Sequence, residues 1–218
     1  MQNWINTWDD FLENSVPPIK NYILKEKKFF IENIEKNQII LDAGCGKGGT
    51  IKILAKKSKK IVGIDISDDI LIYAKKITHN NKNVELFKES IDKLHFADSY
   101  FDIAILGMNT FGNLHNNKVN VLKELIRVVK PDGRIYISTY SEKALDDRLK
   151  SYEASKIKYK IMSHGKIQLD SSFNNKVKII TEQFSKSDLQ KIFTKLKQKF
   201  KIIKLNKISY MSILTVKK

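Results

Sequence analysis

The chain has 218 residues, enough for one α/β domain with a substantial core and a modest lid or extension. Its single cysteine, Cys45, excludes an intrachain disulfide and gives no support to an oxidising compartment. The net charge of +16 invites phosphate as a partner, yet Arg127, Arg134 and Arg148 are the arginines, and the rest is lysine scattered along the chain. With Asn and Ile also in excess, this scatter reads as compositional bias rather than a groove, so nucleic acid is not the favoured partner. Residues 1–15 carry Asp9, Asp10 and Glu13 instead of a basic region followed by an apolar run, so no signal peptide is visible. No stretch approaches the roughly 20 apolar residues that span a bilayer. A cytoplasmic protein with no membrane partner is the expectation.

Residues 1–38 read as helical. Trp4, Trp8, Phe11 and Leu12 fall at helical spacing. Pro17-Pro18 interrupts, and a second helix from about Ile19 to Glu35 carries Ile23, Phe29, Phe30 and Ile34. A packing pair on the sheet edge is expected; the alternative is a lid in which Tyr22 or Trp8 closes over a ligand.

The chain then declares its chemistry. Ile39-Ile40-Leu41 is a short apolar run of the kind that forms a buried parallel strand. It ends at Asp42 and enters a glycine-rich turn through Gly44, Gly46, Gly48 and Gly49, after which Ile51, Leu54 and Ala55 mark a helix with Thr50 as its N-cap. Strand, glycine turn and helix N-terminus together form a cradle that admits a ligand close to bare backbone. Gly44, Gly46 and Gly49 satisfy G-x-G-x-x-G, a pattern shared by many nucleotide sites. Asp42 narrows it. A carboxylate two residues before the first glycine repels a dinucleotide pyrophosphate and attracts a ligand with a cationic amino group and a sulfonium.

A second strand, Lys60 to Ile66, ends at Asp65, about 20 residues beyond the turn, where such a site places an acid for ribose hydroxyls. Ser67 caps the next helix, with Ile70, Tyr73, Ala74 and Ile77 as its expected buried stripe. His79 to Asn83 is a polar turn. Val84 to Phe87 forms a third strand leading to Glu89 and Ser90, and Tyr100 to Gly107 a fourth leading into Gly107-Met108-Asn109-Thr110-Phe111-Gly112. Ligands sit beyond the carboxyl ends of such strands near the order reversal, so this loop faces the reaction centre. A helix over about Asn117 to Lys130 buries Leu122, Leu125, Ile126 and Val129, and Lys130-Pro131-Asp132-Gly133 separates it from a fifth strand, Arg134 to Thr139. Residues 140–183 start helical over Glu142 to Lys158 and turn strand-like at Lys166–Leu169 and Val177–Ile180 around a turn at Ser171 to Asn175. This insertion either supplies a substrate pocket or is a decorative or dimer-forming hairpin, and His164 within it is a solvated loop residue or, at most, a base. Ser185-x-x-Asp188 caps a helix burying Leu189, Ile192, Phe193 and Leu196, and strands over Phe200–Leu205 and Ser209–Val216 close the chain.

Asp42-x-Gly44-x-Gly46-x-Gly48 resembles the first motif of class I S-adenosylmethionine-dependent methyltransferases, and Arg127-Val128-Val129-Lys130-Pro131-Asp132-Gly133 resembles the run before the fifth strand of that family. The loop at Asn109 resembles the Gly-Asn-Thr/Ser-Phe segment of small-molecule members and departs from the [Asn/Asp]-Pro-Pro-aromatic motif of base methylases. The resemblance implies a doubly wound, Rossmann-like α/β fold: a seven-stranded sheet with the last strand antiparallel and an N-terminal helical cap. The segments are then the cap (1–38), the cofactor-binding half (39–139), the substrate-side insertion (140–183) and the C-terminal helix and hairpin (184–218). It also implies S-adenosylmethionine as cofactor, held by Asp42, Ala43, Gly44, Cys45 and Gly46 on the methionine side and by Asp65 and Ile66 at the ribose. Glu89, Ser90 and Ile91 then lie at the adenine, with Glu89 for the commoner Asp, and Gly107 and Met108 beside the methyl. Asn109 is the candidate for positioning a small-molecule acceptor; no metal and no general base are implied. An RNA or protein methyltransferase, a nicotinamide-dependent oxidoreductase and a non-catalytic cofactor-binding protein are the alternatives.

Overall fold

A computed structural model of the chain describes residues 9–114, 118–163, 165–169 and 179–218. Trp4, Trp8, His164, the 171–175 turn and the first half of the strand expected at 177–180 lie outside the described residues. Residues 9–14 are helical (α1), and α2 runs Pro17–Asn33. Pro17-Pro18 therefore opens α2, where a preset φ and a missing N–H carry no penalty.

Seven strands form one sheet: β1 Ile39–Ala43, β2 Lys60–Asp65, β3 Val84–Lys88, β4 Phe101–Leu106, β5 Val129–Tyr140, then β9 Lys199–Asn206 and β10 Ser209–Thr215. Their order is β3-β2-β1-β4-β5-β10-β9. β1 pairs in parallel with both β2 and β4, while β10 runs antiparallel to β5 and β9. The strand order reverses between β1 and β4, which opens a crevice at their carboxyl ends. This is the doubly wound sheet with an antiparallel last strand expected from the sequence.

Period-two alternation decides which side chains face each layer. Leu41 and Ala43 join a core with Leu122, Leu125, Leu189 and Phe193, under helices α6 (Lys118–Val128) and α8 (Lys186–Thr194). Ile40 joins Phe29, Phe30, Ile51 and Tyr136 on the opposite face, under α2 and α3 (Gly49–Leu54). Asp42, in phase with Ile40, is thereby sent to the α2 side of the sheet.

Several local expectations shift. The N-cap of α3 is Gly48 at φ 78, not Thr50, because the glycine turn must reverse left-handed before the helix begins. In α4 (Asp68–Thr78) the buried stripe is Leu71, Ala74 and Thr78, with Ile70, Tyr73 and Ile77 half-buried at its margin, a rotation of one residue. In α6 Leu122 and Leu125 are buried as expected, as is Val129 just beyond it, while Val121 and Val128 complete the face and Ile126 is half-buried at its margin. Tyr22 is no lid: it is fully buried, packs edge-on against Tyr140 at 5.2 Å and shares a 2.8 Å hydrogen bond with Ser138.

The insertion is α7 (Leu145–Ala154), shorter than the expected 142–158 helix, followed by a three-stranded antiparallel sheet in the order β6-β7-β8. β6 (Tyr159–Ile161) was not expected as a strand; β7 (Lys166–Leu169) has the expected bounds, and β8 (Ile179–Glu182) overlaps the second half of the strand expected at 177–180. This unit packs on α2 through Tyr22, Tyr140, Tyr152, Ile167 and Leu169.

Ser185 caps α8 as expected: its Oγ accepts from Asp188 N while the Asp188 carboxylate accepts from Ser185 N, a closed capping box. Ser185→Ala lowers unfolding stability by about 1 kcal/mol, read as a lower urea midpoint at unchanged m-value.

Candidate functional site

The turn after β1 is built from left-handed glycines, Gly44 (φ 80), Gly46 (φ 52) and Gly48 (φ 78). Gly44 has a second reason to lack a side chain, since a Cβ there would stand 2.6 Å from Thr110 Cγ2, in the loop after β4. The turn consumes most of its own donors. Gly44 N and Cys45 N both donate to Ile64 O at 2.9 Å, Gly46 N donates to Asp65 Oδ2 at 3.0 Å, and Gly48 N to Cys45 O at 2.9 Å. Most N–H groups of 44–48 are thus turned onto the protein itself rather than toward a ligand.

Asp42 is 2% exposed, and its Oδ2 has no hydrogen-bond partner. Burial, with the nearby Glu26 and Asp65 carboxyls, pushes its pKa up to about 8. An orphaned buried carboxylate beside an open-backbone turn fits a cationic ligand group. Asp65 closes the other side: its Oδ2 takes Gly46 N and its Oδ1 takes Ser67 N, each at 3.0 Å, leaving further lone pairs for hydroxyl donors. Ile66, next to it, is 70% exposed, an apolar face suited to a flat ring. The residues present therefore fit S-adenosylmethionine at its ammonium, ribose and adenine.

The other expected residues are distributed unevenly. Ala43, Cys45 and Ile91 are buried in the core, so only their backbone is available, and burial raises the Cys45 thiol far above its ordinary range. Ser90 is exposed. Glu89 lies just past β3, its carboxylate accepting from His95 N at 2.7 Å and meeting His95 Nδ1 at 2.9 Å, so His95 orients this acid.

The loop after β4 holds two consecutive non-glycine residues in the left-handed region, Met108 (φ 49) and Asn109 (φ 60). Asn109 is 2% exposed and wholly engaged: Oδ1 accepts from Tyr140 N at 3.1 Å, while Nδ2 donates to Thr181 Oγ1 at 3.2 Å and to Glu182 O at 3.1 Å. Its amide therefore ties β4 to β5 and β8, whereas the sequence suggested that it positions the acceptor. Two buried charged residues escaped the sequence reading. Glu26, on α2, accepts from Met108 N at 2.7 Å and from Ser138 Oγ. Arg148, fully buried on α7, donates to Thr181 Oγ1 at 3.0 Å and to Gln183 Oε1 at 3.2 Å and lies 4.7 Å from the Tyr140 ring centroid. A signal existed for Glu26: it falls on the buried stripe Ile19, Tyr22, Glu26, Phe29 and Phe30, a charged position on an apolar face.

Among the described residues no group of His, Cys, Asp or Glu is arranged to hold a metal ion, and no helix is long and apolar enough to cross a membrane.

Two outcomes follow from this geometry. Because the folded state holds the Asp42 proton up to about pH 8 and the unfolded chain releases it near ~4, Asp42 lowers stability progressively as pH rises through that window. Asp42→Asn therefore raises the melting temperature of the ligand-free protein more at pH 9 than at pH 5; a gain that shrinks with pH contradicts the assignment. Asn109→Ala orphans the buried Tyr140 N–H and costs roughly 2 to 3 kcal/mol in chemical denaturation.

Residues 34–202 match the family model of a methyltransferase domain. Malonyl-[acyl-carrier protein] O-methyltransferase of Buchnera aphidicola is 32% identical over 193 residues, covering 84% of this chain and 72% of that protein. Demethylmenaquinone methyltransferase of Bacillus licheniformis is 34% identical over 116 residues, 51% of this chain and 48% of that protein. The chain spans about half the length of the first curated relatives it matches. A crystal structure of a Pyrococcus horikoshii protein superposes with a TM-score of 0.73 at 23% identity over 95% of each chain, which supports the fold. With the family model covering the cradle and strands β2 to β5 of the main sheet, the chain belongs to the class I S-adenosylmethionine-dependent methyltransferases.

Proposed function

We propose that this protein transfers a methyl group from S-adenosylmethionine to a nitrogen or oxygen nucleophile of a small-molecule acceptor. One observation carries the reading: the buried Asp42 carboxylate near the end of β1, whose Oδ2 has no hydrogen-bond partner among the described residues. When bound, S-adenosylmethionine supplies an electrophilic methyl on a sulfonium. The chain's part is to hold and to exclude. Asp42 receives the methionine ammonium; Asp65 accepts the ribose hydroxyls while bracing the turn through Gly46 N. Ile66 covers the adenine face, and Glu89, oriented by His95, meets its edge. Gly107 and Met108 border the methyl, and Asn109 keeps that loop in its left-handed shape. In-line displacement needs alignment and dryness more than covalent help. Two relatives bear names of small or carrier-bound acceptors, demethylmenaquinone and malonyl-[acyl-carrier protein], which favours such a substrate over RNA. The small sheet β6-β7-β8, pinned over the β4 loop by Asn109 and by the Lys118–Glu182 pair at 3.2 Å, supports an enclosed acceptor pocket.

Calorimetric titration is expected to give binding of S-adenosylmethionine and S-adenosylhomocysteine and none of NAD. Asp42→Ala weakens S-adenosylmethionine binding at least about tenfold, the scale of one charge-assisted hydrogen bond. Stabilisation by NAD alone, or an Asp42→Ala protein binding as well as its parent, overturns the reading. Radiolabelled methyl transfer into a fractionated lysate then tests the acceptor: label in metabolites or on a carrier-bound thioester supports it, label in RNA or elsewhere in protein refutes it.

A further inference from the structure

Helix α2 was expected to be a packing element, and it packs, yet it also buries a carboxylate against the loop after β4. Glu26 is 1% exposed and sits on the same side of the sheet as Asp42. Its carboxylate lies over Gly107, where a Cβ would stand 3.6 Å from Oε1 and 3.8 Å from Oε2. Oε1 is fixed by Met108 N at 2.7 Å and by Ser138 Oγ, and Ser138 is bonded in turn to Tyr22 OH at 2.8 Å. Burial raises both carboxyls, and Glu26 adds to the upward shift of Asp42; the Glu26 shift is offset by the Ser138 and Met108 hydrogen bonds and by the charge of Lys27. Among the described residues neither forms an ion pair with Lys, Arg or His, and Asp42 Oδ2 lacks even a hydrogen bond. Burial holds both acids toward their neutral forms, and an entering cation favours the charged ones.

The position of Glu26 matters more than its charge alone. Asp42 is the penultimate residue of β1, beside the turn assigned to the methionine moiety. Glu26 instead overlies the first residues after β4, the part of the crevice bordering the transferable methyl. Resting on the methyltransferase reading above, we infer that Glu26 is a cofactor-binding residue that faces the sulfonium end, so that the site prefers the charged donor over its neutral demethylated product. The donor carries an ammonium and a sulfonium; the product keeps the ammonium and has only a thioether. Asp42 serves both ligands, whereas Glu26 serves the sulfonium alone. The consequence is a site that releases its product readily, with selectivity coming from the N-terminal helix and not from the glycine turn.

The test is calorimetric titration of wild type and Glu26→Gln with S-adenosylmethionine and with S-adenosylhomocysteine. The amide still accepts from Met108 N and Ser138 Oγ, and thermal unfolding checks that the variant folds. Glu26→Gln is expected to weaken S-adenosylmethionine by about tenfold and leave S-adenosylhomocysteine within about twofold, as expected for loss of one partly screened charge pair. If both affinities fall together, or neither changes, Glu26 is structural and the inference fails while the methyltransferase reading stands. If the wild type binds neither ligand, that reading itself fails. Should Glu26→Gln not fold, the wild-type protein is titrated with an analogue bearing an ammonium in place of the sulfonium. Tighter binding than S-adenosylhomocysteine supports the inference, and equal binding overturns it.

Discussion

A carboxylate in a protein interior is tolerated when it is paired, hydrogen-bonded or protonated. The Asp42 side chain has no partner for Oδ2, and its proton is held to about pH 8 by burial and by the acids around it. The surrounding architecture makes sense as a means of keeping it there. The parallel pairing of β1 with β2 and β4 fixes its height in the sheet, and the pleat turns it toward α2. The glycine turn beyond it folds its own N–H groups inward onto Ile64 O and Asp65. An anion would find few donors at that turn, and a cation finds an unsatisfied oxygen. The chemistry of the site is therefore written as much by what the backbone withholds as by the side chains it presents.

The loop after β4 shows the same economy of means. Met108 and Asn109 occupy left-handed backbone, a conformation that persists where neighbours over-determine it. Glu26 accepts from the Met108 N–H, and the Asn109 amide joins β5 to β8. The partners come from residues 26, 138 to 140 and 181 to 182, so the loop shape is a property of the assembled fold. Arg148 reinforces that assembly from the other side. Among the described residues its guanidinium bonds the neutral acceptors Gln183, Tyr152 and Thr181, and it shares Thr181 Oγ1 with Asn109, which links α7 to the loop through one hydroxyl. The insertion is in this way mechanically continuous with the cofactor crevice.

The sequence by itself determined the parts whose physics is local. An apolar run ending in an acid, glycines at φ-demanding positions, an acid about 20 residues on, and a Ser-x-x-Asp cap each act within a few residues, and each appears where it was read. The stripe of α4 turned by one residue, and Ile126 of α6 fell to the margin of its face, because a periodic pattern fixes a helix face only to within its own angular width, and the sheet beneath selects the final rotation. Tertiary structure alone decided the rest. It buried Tyr22 against Tyr140 and Ser138, committed the Asn109 amide to backbone partners on β5 and β8, and brought Glu26 beside Asp42 across a gap in sequence. Those contacts depend on which strands are neighbours and on which face each pleat turns to, and a one-dimensional pattern carries neither until the chain has closed on itself.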